Sequence, residues 1–217
     1  MRILISNDDG IDAPGLAALH AAVEGLGEVF VVAPLEAHSG CGHRVTTDRG
    51  LRIERRGERE FAVDGTPADC VRIALAHLRL EVDWVFAGLN EGGNLGVDVY
   101  HSGTVAAARE AAILGKPACA LSHYKARGRA IDWELASERG RQAIERVVQS
   151  PHSGFWNVNL PHVDRASQPE FVDCEVDPSP LEMAFRSAPE GTVHYAGSYP
   201  DRPRIPDADV ERCFAGH

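Results

Sequence analysis

The sequence predicts a three-layer α/β/α, Rossmann-like fold with a mainly parallel sheet and an extended C-terminal arm. Short apolar strand segments alternate with helical patterns as far as residue 150, an order typical of parallel sheets covered on both faces. Beyond Pro151 this alternation is lost, and most of the chain's 13 prolines lie there. We therefore expect a core over residues 1–150 and an extension over residues 151–217 that completes a single overall domain.

Apolar runs and helical spacing define the first elements. Residues 3–6 form a strand of the buried type, and Pro14 opens a helix whose apolar residues recur at helical spacing as far as Leu26. Residues 29–33 form a second strand, which Pro34 ends because proline lacks the N–H that a sheet needs.

A hairpin and a capped helix follow. Residues 51–54 and 60–63 flank a polar turn around Gly57, which predicts a hairpin. Thr66 is a helix-capping residue with a proline directly after it, and the apolar pattern that begins there continues to Leu78.

The second half of the core repeats the order of strand and helix. Strands are predicted over residues 84–87 and 117–122, a helix begins near Ser102 and ends at Leu114, and a long helix spans residues 133–148. In the extension we expect three short strands, over residues 156–159, 170–175 and 193–196.

Charge and composition exclude several classes of protein. The net charge of −10 disfavours a nucleic acid polymer as a partner. The chain has no apolar run of about 20 residues and no basic leader before an apolar segment, so we expect a cytoplasmic protein without a membrane partner. The 5 cysteines are odd in number and form no C-x-x-C pair, which is typical of reduced thiols rather than disulfides or a zinc site.

Two adjacent carboxylates, Asp8 and Asp9, follow the first predicted strand, between Asn7 and Gly10. Ligands of open α/β sheets bind beyond the carboxyl ends of the strands. Two acidic groups in a dry cleft need a counter-charge, and a hard divalent cation with oxygen ligands supplies one. The alternative is an ordinary turn, which the same residue types favour.

Two further loops carry oxygen ligands and follow predicted strands. Ser39 lies after the second strand and Asn90 after the strand at residues 84–87. Together with Asp8 and Asp9 they form an all-oxygen set that suits one Mg²⁺ or Mn²⁺ ion and leaves positions for water and substrate. The helix start at residues 102–104 offers exposed amides and a positive helix end to a phosphate group.

Two other classes of site fit less well. A dinucleotide site needs the pattern G-x-G-x-x-G after the first strand, where this chain has acidic residues that would repel a pyrophosphate. A receiver domain also has an acidic pair there, but it needs a phospho-accepting Asp where this chain has Asn90. Its Lys-Pro pair also lies beyond a strand, whereas Lys116 precedes one here.

Five motifs of this chain resemble those of the SurE family of stationary-phase survival proteins, which are metal-dependent nucleotidases, and they follow one another in the order that the family has. The resemblance is dense to about residue 125 and thinner afterwards. The motifs lie at residues 6–10, 33–40, 65–70, 88–107 and 157–161, and the longest contains Gly88-Leu89-Asn90-Glu91-Gly92-Gly93-Asn94-Leu95-Gly96 followed by Tyr100-His101-Ser102-Gly103-Thr104.

The resemblance implies an enzyme that hydrolyses nucleoside 5′- and 3′-monophosphates, with short polyphosphate as a further substrate. It implies a homodimer or homotetramer joined through the C-terminal extension, with one metal ion per subunit. The implied metal ligands are Asp8, Asp9, Ser39 and Asn90. The implied phosphate ligands are Asn94, Ser102, Gly103 and Thr104, and the implied catalytic residues are Asp8, Asp9, Asn94 and Ser102. The alternative is a catalytically silent regulator that binds metal and nucleotide.

Three departures from the family pattern stand out. Ala87 replaces a usual Ser, and Ala111 replaces a usual Gly after Glu110. Family members also continue with a further strand and a C-terminal helix where this chain stops at Gly216-His217, which bears on assembly more than on the metal site.

Several other polar residues near the predicted site favour ordinary roles. We expect Asp12 and Asp98 to be solvated loop residues and Glu110 to be structural. His38, His43 and His101 are candidate proton donors to a leaving alkoxide, but surface or packing roles are the stronger expectation for each. Ser102 lacks a spaced His and carboxylate that would make it a nucleophile, so a metal-activated water is the simpler attacking group.

Overall fold

The computed structural model describes residues 1–150 and 154–217, and it contains a seven-stranded sheet with helices on both faces. Within these residues the strands are β1 (Arg2–Ser6), β2 (Glu28–Pro34), β3 (Ile53–Arg55), β4 (Glu60–Val63), β5 (Trp84–Glu91), β6 (Ala118–His123), β7 (Phe155–Leu160), β8 (Phe185–Ser187) and β9 (Val193–Tyr195). The α-helices are α1 (Pro14–Val23), α2 (Pro67–Arg72), α3 (Gly103–Ile113), α4 (Trp133–Val148) and α5 (Asp209–Ala215).

The main sheet has the order β3-β4-β2-β1-β5-β6-β7; its β3–β4 pair is antiparallel, and the other pairs of these strands are parallel. The chain first builds outward from β1 on one side and then returns to build outward on the other. The strand order therefore reverses between β1 and β5, where ligands of such sheets bind. The predicted mainly parallel α/β fold is confirmed.

Each face of the sheet has its own apolar core. On one face, Ile3, Ile5 and Phe86 of the strands pack with residues of α1 and α4, such as Leu19 and Ile144. On the opposite face, the strand residues pack with α2 and α3, and alanines dominate the α3 side of that contact. This is the predicted three-layer arrangement. The small α3 side chains bring its backbone close to the sheet, and the first turn of α3 lies beside the end of β1.

Several predicted element boundaries differ from the structure. The strand predicted over 84–87 continues to Glu91. Its register against β6 shifts between Ala87 and Asn90, where Gly88 lies, and the pairing with β6 then resumes. The helix predicted to Leu26 ends at Val23, and the one predicted to Leu78 passes at Ile73 into a π-helical turn.

The C-terminal extension contributes to the main sheet and also forms structure of its own. Strand β7 pairs with β6 at the sheet edge, and β9 pairs with β8 in a separate two-stranded hairpin. The strand predicted over residues 170–175 is wrong, since that segment has no regular structure and is largely exposed. Helix α5 was not predicted.

The predicted boundary at Pro151 falls on residues 151–153, which lie outside the described part of the chain. Among the residues that are described, no helix is long and apolar enough to cross a membrane.

A close helix–sheet contact at Gly15 makes a first prediction. A Cβ atom at Gly15 would lie 2.0 Å from the Leu89 carbonyl oxygen, which is backbone and has little room to move. We expect Gly15→Ala to lower the free energy of unfolding by about 2 kcal/mol or more through overpacking. Gly50→Ala is the matched control, because a Cβ there meets nothing within 4 Å. Urea unfolding of both variants measures the difference, and equal stabilities would contradict the prediction.

Candidate active site

The carboxylate of Asp8 lies at the end of β1 against the first turn of α3. Asp8 is 5% exposed, and the hydroxyl of Thr104 donates a hydrogen bond to its Oδ1. A Cβ atom at Gly103 would lie 2.9 Å from the Asp8 Cβ and 3.0 Å from its Oδ2. Only glycine at position 103 therefore lets the helix start approach the carboxylate this closely.

Asp9 faces the end of β5, on the other side of the point where the strand order reverses. Its Oδ2 accepts a hydrogen bond of 3.3 Å from the backbone N–H of Glu91. The neighbouring Asn90 donates its side-chain N–H to the Gly92 carbonyl oxygen over 2.7 Å. This bond engages the amide nitrogen of Asn90, so its carbonyl oxygen is the atom suited to a cation.

Ser39 lies in an exposed loop that spans the site. The backbone N–H of His38 donates to the Asp8 carbonyl oxygen over 2.7 Å, and the N–H of Gly42 donates to the His101 carbonyl oxygen over 2.9 Å. The loop is thus fixed to the end of β1 and to the turn before α3. Ser39 follows His38 directly in this loop and is exposed.

Burial makes the acidic pair costly to ionise. The pKa of Asp8 is raised to about 6, mainly by desolvation and also by the charge of Asp9, while the hydrogen bond from Thr104 opposes both effects. Desolvation also raises the pKa of Asp9, to which the charge of Glu91 adds. A divalent cation would offset both costs, because it favours the ionised form of each carboxylate. The donor set of two carboxylates, a hydroxyl and an amide oxygen therefore fits a hard divalent ion.

Ser102 begins α3 as predicted. Its Oγ accepts a hydrogen bond of 3.0 Å from the backbone N–H of Val105, so the side chain caps the helix. The N–H groups of Gly103 and Thr104 belong to the first turn, which lacks intrahelical partners for its donors. This end of the helix lies beside Asp8 and is suited to an anion.

Asn94 is held by residues from two neighbouring strands. Its side-chain N–H donates to Ser122 Oγ over 2.7 Å, and its backbone N–H donates to Asn159 Oδ1 over 2.8 Å. Asn157 and Asn159 both donate to its carbonyl oxygen, over 2.9 and 3.2 Å. One of the two side-chain N–H donors of Asn94 is thus engaged, and the second is the one a phosphate oxygen would take.

The other polar residues near the site divide into surface and structural groups. Asp12 is exposed, as predicted. His43 bonds to the buried Glu110 over 2.7 Å, and Arg109 lies 3.4 Å from its second ring nitrogen, so both His43 and Glu110 are structural. The prediction that Asp98 is solvated is wrong, because it forms an ion pair with the buried Arg202. All 5 cysteines are free thiols, as predicted, and three of them are buried.

Two cavities of similar size lie at different places in the structure, one beside Asp9 and the other beside β7. One, of about 430 Å³, opens beside Asp9 and is lined also by Leu35, Glu36 and Trp133. The other, of about 360 Å³, lies between α4, β7 and the C-terminal extension. Asp9 lines the first cavity and Asp8 does not, so the first cavity reaches the site from the Asp9 side.

Comparison with known families places these residues in context. Residues 3–177 match the family described as Survival protein SurE. The chain belongs to the SurE family. A protein of Synechocystis sp. provisionally named a 5′-nucleotidase is 50% identical over 222 residues, covering 100% of this chain and 96% of the relative.

Two further SurE relatives extend the comparison. The 5′-nucleotidase SurE 1 of Thermus thermophilus is 43% identical over 211 residues, covering 90% of this chain and 80% of the relative. The crystal structure of the SurE protein from Aquifex aeolicus superimposes with a TM-score of 0.87 at 29% identity, covering 100% of this chain and 90% of that one. The fold predicted from the SurE resemblance is therefore confirmed.

The structure describes no cluster of three or more His, Cys, Asp and Glu residues that could hold a metal ion. The predicted set contains only two residues of these types, and its other members are a serine and an asparagine. The residues that sequence reasoning missed are those that support Asn94. The Asn157-Val158-Asn159 motif was visible in the sequence, but its distance along the chain gave no sign of a contact with Asn94.

Proposed function

We propose that this SurE protein is a phosphomonoesterase that hydrolyses nucleoside 5′-monophosphates to a nucleoside and phosphate. One observation carries the proposal: the acidic pair lies at the strand-order reversal, and its buried member, Asp8, contacts the first turn of α3. The pair suits a cation and the helix start suits a phosphate, and the two lie side by side. The names of the relatives, 5′-nucleotidases, supply the substrate class.

We propose further that one Mg²⁺ or Mn²⁺ ion per subunit is held by Asp8, Asp9, Ser39 and Asn90. When bound, such an ion polarises the phosphorus and lowers the pKa of a water molecule towards neutrality. The fit rests on the raised pKa values of the two carboxylates and on the all-oxygen character of the set.

The residues of the chain itself bind and orient the phosphate. The first turn of α3, at Gly103 and Thr104, would offer amide N–H groups to the phosphate oxygens, and Asn94 would supply its second N–H. Each well-placed donor of this kind is worth about 3 kcal/mol in the transition state. Whichever of Asp8 and Asp9 keeps an oxygen available orients the attacking water in line with the departing ribose oxygen.

A direct water attack predicts inversion at phosphorus. We expect hydrolysis of a chiral thiophosphate ester in ¹⁸O-water to give product of inverted configuration, since a single in-line displacement inverts the centre once. The capped state of Ser102, whose Oγ already accepts from Val105, argues against that residue as a nucleophile. Retention would require a phosphorylated Asp or Ser and would overturn this mechanism.

A substrate panel tests the proposed function. Phosphate release from the nucleoside 5′- and 3′-monophosphates, short polyphosphate and p-nitrophenyl phosphate is measured with Mn²⁺, Mg²⁺ or EDTA. We expect metal-dependent turnover of the 5′-nucleotides, with 3′-nucleotides and polyphosphate as further substrates. Tight nucleotide binding without turnover would instead support the second candidate, a silent regulator.

We also propose that the protein is a homodimer or homotetramer assembled through residues 151–217. The exposed apolar side chains of that region support this, among them Phe185, Val193 and Tyr195 of the β8–β9 hairpin. Sedimentation that shows only monomer at micromolar concentration would refute it.

A further inference from the structure

A buried ion pair joins the C-terminal extension to the loop that leads into α3. Arg202 has a side chain only 1% exposed, and its Nη1 lies 2.7 Å from Asp98 Oδ2. The hydroxyl of Tyr199 donates to the same carboxylate oxygen over 2.7 Å. Asp98 is separated from Arg202 by 104 residues of sequence, so the contact is tertiary rather than local.

A second contact holds the same loop two residues earlier. The backbone N–H of Gly96 donates to Asp209 Oδ2 over 2.7 Å, and the Asp209 side chain is itself buried at the start of α5. Leu95 packs with Val210 and Cys213 of that helix in a small apolar cluster. We call Asp98, Tyr199, Arg202 and Asp209 the arm clamp.

The loop held by the arm clamp carries the phosphate-side residues. It begins at Asn94, and the carbonyl oxygen of Asp98 accepts hydrogen bonds of 3.0 Å from the backbone N–H groups of His101 and Ser102. Ser102 then caps α3, and Thr104 in the same turn bonds to Asp8. The position of Asp98 therefore sets where the helix start meets the acidic pair.

We propose that Arg202 and Asp98 are positioning residues for the phosphate-binding end of α3, so that the C-terminal extension acts in cis on the active site. The inference rests on the proposed phosphomonoesterase function. Neither residue touches the reacting atoms. A half-buried carboxylate that loses its guanidinium partner is left with an uncompensated charge, so the loop moves to reach water. A displacement of about 1 Å of groups that bind a phosphate is enough to lower kcat by up to a hundredfold.

The test compares Arg202→Met with Arg202→Lys and with the milder Tyr199→Phe, which removes one hydrogen bond to Asp98 and leaves the charges paired. Arg186→Ala is the matched control, because it removes an exposed arginine of the same extension. For each full-length variant we measure kcat and KM for a nucleoside 5′-monophosphate with Mn²⁺, hydrogen–deuterium exchange of the peptide over residues 95–105, and the melting temperature.

The proposal expects a graded loss. Arg202→Met lowers kcat about tenfold to a hundredfold with less change in KM, and it speeds amide exchange at 95–105 while exchange in β1 and β5 stays slow. Arg202→Lys recovers part of the rate, Tyr199→Phe loses a smaller part, and Arg186→Ala matches the wild type. The proposal is overturned if exchange at 95–105 is unchanged in Arg202→Met, or if it rises while kcat stays at the wild-type value.

Two other outcomes are also decisive. If Arg202→Met does not fold, Tyr199→Phe decides: normal exchange and normal kcat in that variant refute the proposal. If the wild-type protein releases no phosphate, the proposed function fails by itself, and the exchange data still show whether Arg202 holds the loop.

Discussion

Replacing Asp8 or Asp9 by Asn should lower kcat/KM for a nucleoside 5′-monophosphate by about a thousandfold or more, a loss of about 4 kcal/mol in transition-state stabilisation. Each substitution removes one of the two negative charges that a divalent ion needs, and it leaves the size of the side chain unchanged. The Thr104 bond to Asp8 Oδ1 can be kept by the Asn oxygen, so the fold should survive. Phosphate release with saturating Mn²⁺ measures the effect.

Asp12→Asn is the matched control for both substitutions. Asp12 is an exposed carboxylate that lines the same cavity as Asp9, so its loss changes the local charge without touching the proposed ligand set. We expect its kcat/KM to stay within about twofold of the wild type, as for most surface substitutions. Calorimetric titration with Mn²⁺ should show weakened binding in the Asp8 and Asp9 variants only. Unchanged metal affinity in either variant would remove that residue from the ligand set.

The part of the site that sequence reasoning predicted depends on local signals. Asp8 and Asp9 follow an apolar run, and parallel strands place such turns at one edge of the sheet whatever the rest of the chain does. Ser102 and the capping pattern of α3 are likewise contained within a few residues. These features required only the strand and helix periods, which the amino-acid order displays directly.

The part that was missed depends on partners far apart in the sequence. The ion pair between Asp98 and Arg202 has no local pattern, so an acidic residue in a glycine-rich loop was expected to be solvated. The support of Asn94 by Asn157 and Asn159 was missed for the same reason, because β7 becomes its neighbour only through the order of strands in the sheet.

The strand that was wrongly predicted over residues 170–175 is the opposite kind of error, in which a local pattern predicts an element that does not form. Phe171 and Val172 lie in a short stretch with apolar residues typical of a strand, but a strand needs a neighbour with which to form hydrogen bonds. In the described structure the sheet edge beyond β6 is occupied by β7, and the segment that contains Phe171 has no regular structure. Apolar content alone therefore predicts burial or pairing poorly in an extension rich in proline.

The buried carboxylate of Asp8 also has a consequence for stability. Its pKa is about 6 in the folded chain against a usual value of 3.8, so the folded state binds more protons than the unfolded state between these values. Stability therefore falls as the pH rises from about 4 to above 6, and the whole cost is present at pH 8. This difference between the folded and unfolded pKa of Asp8 corresponds to about 3 kcal/mol.

Asp8→Asn should accordingly stabilise the metal-free protein at pH 8 by roughly 1–3 kcal/mol, because a neutral amide avoids the cost of burying a charge. Urea unfolding in EDTA measures the gain, which should shrink at pH 4.5, where wild-type Asp8 is protonated. Saturating Mn²⁺ should stabilise the wild type by mass action and leave the variant unchanged. Asp12→Asn, at an exposed position, should show neither effect. A variant less stable than the wild type at pH 8 would mean that the surroundings of Asp8 stabilise its charge without a cation. The case for an acidic pair that needs a counter-charge would then fail.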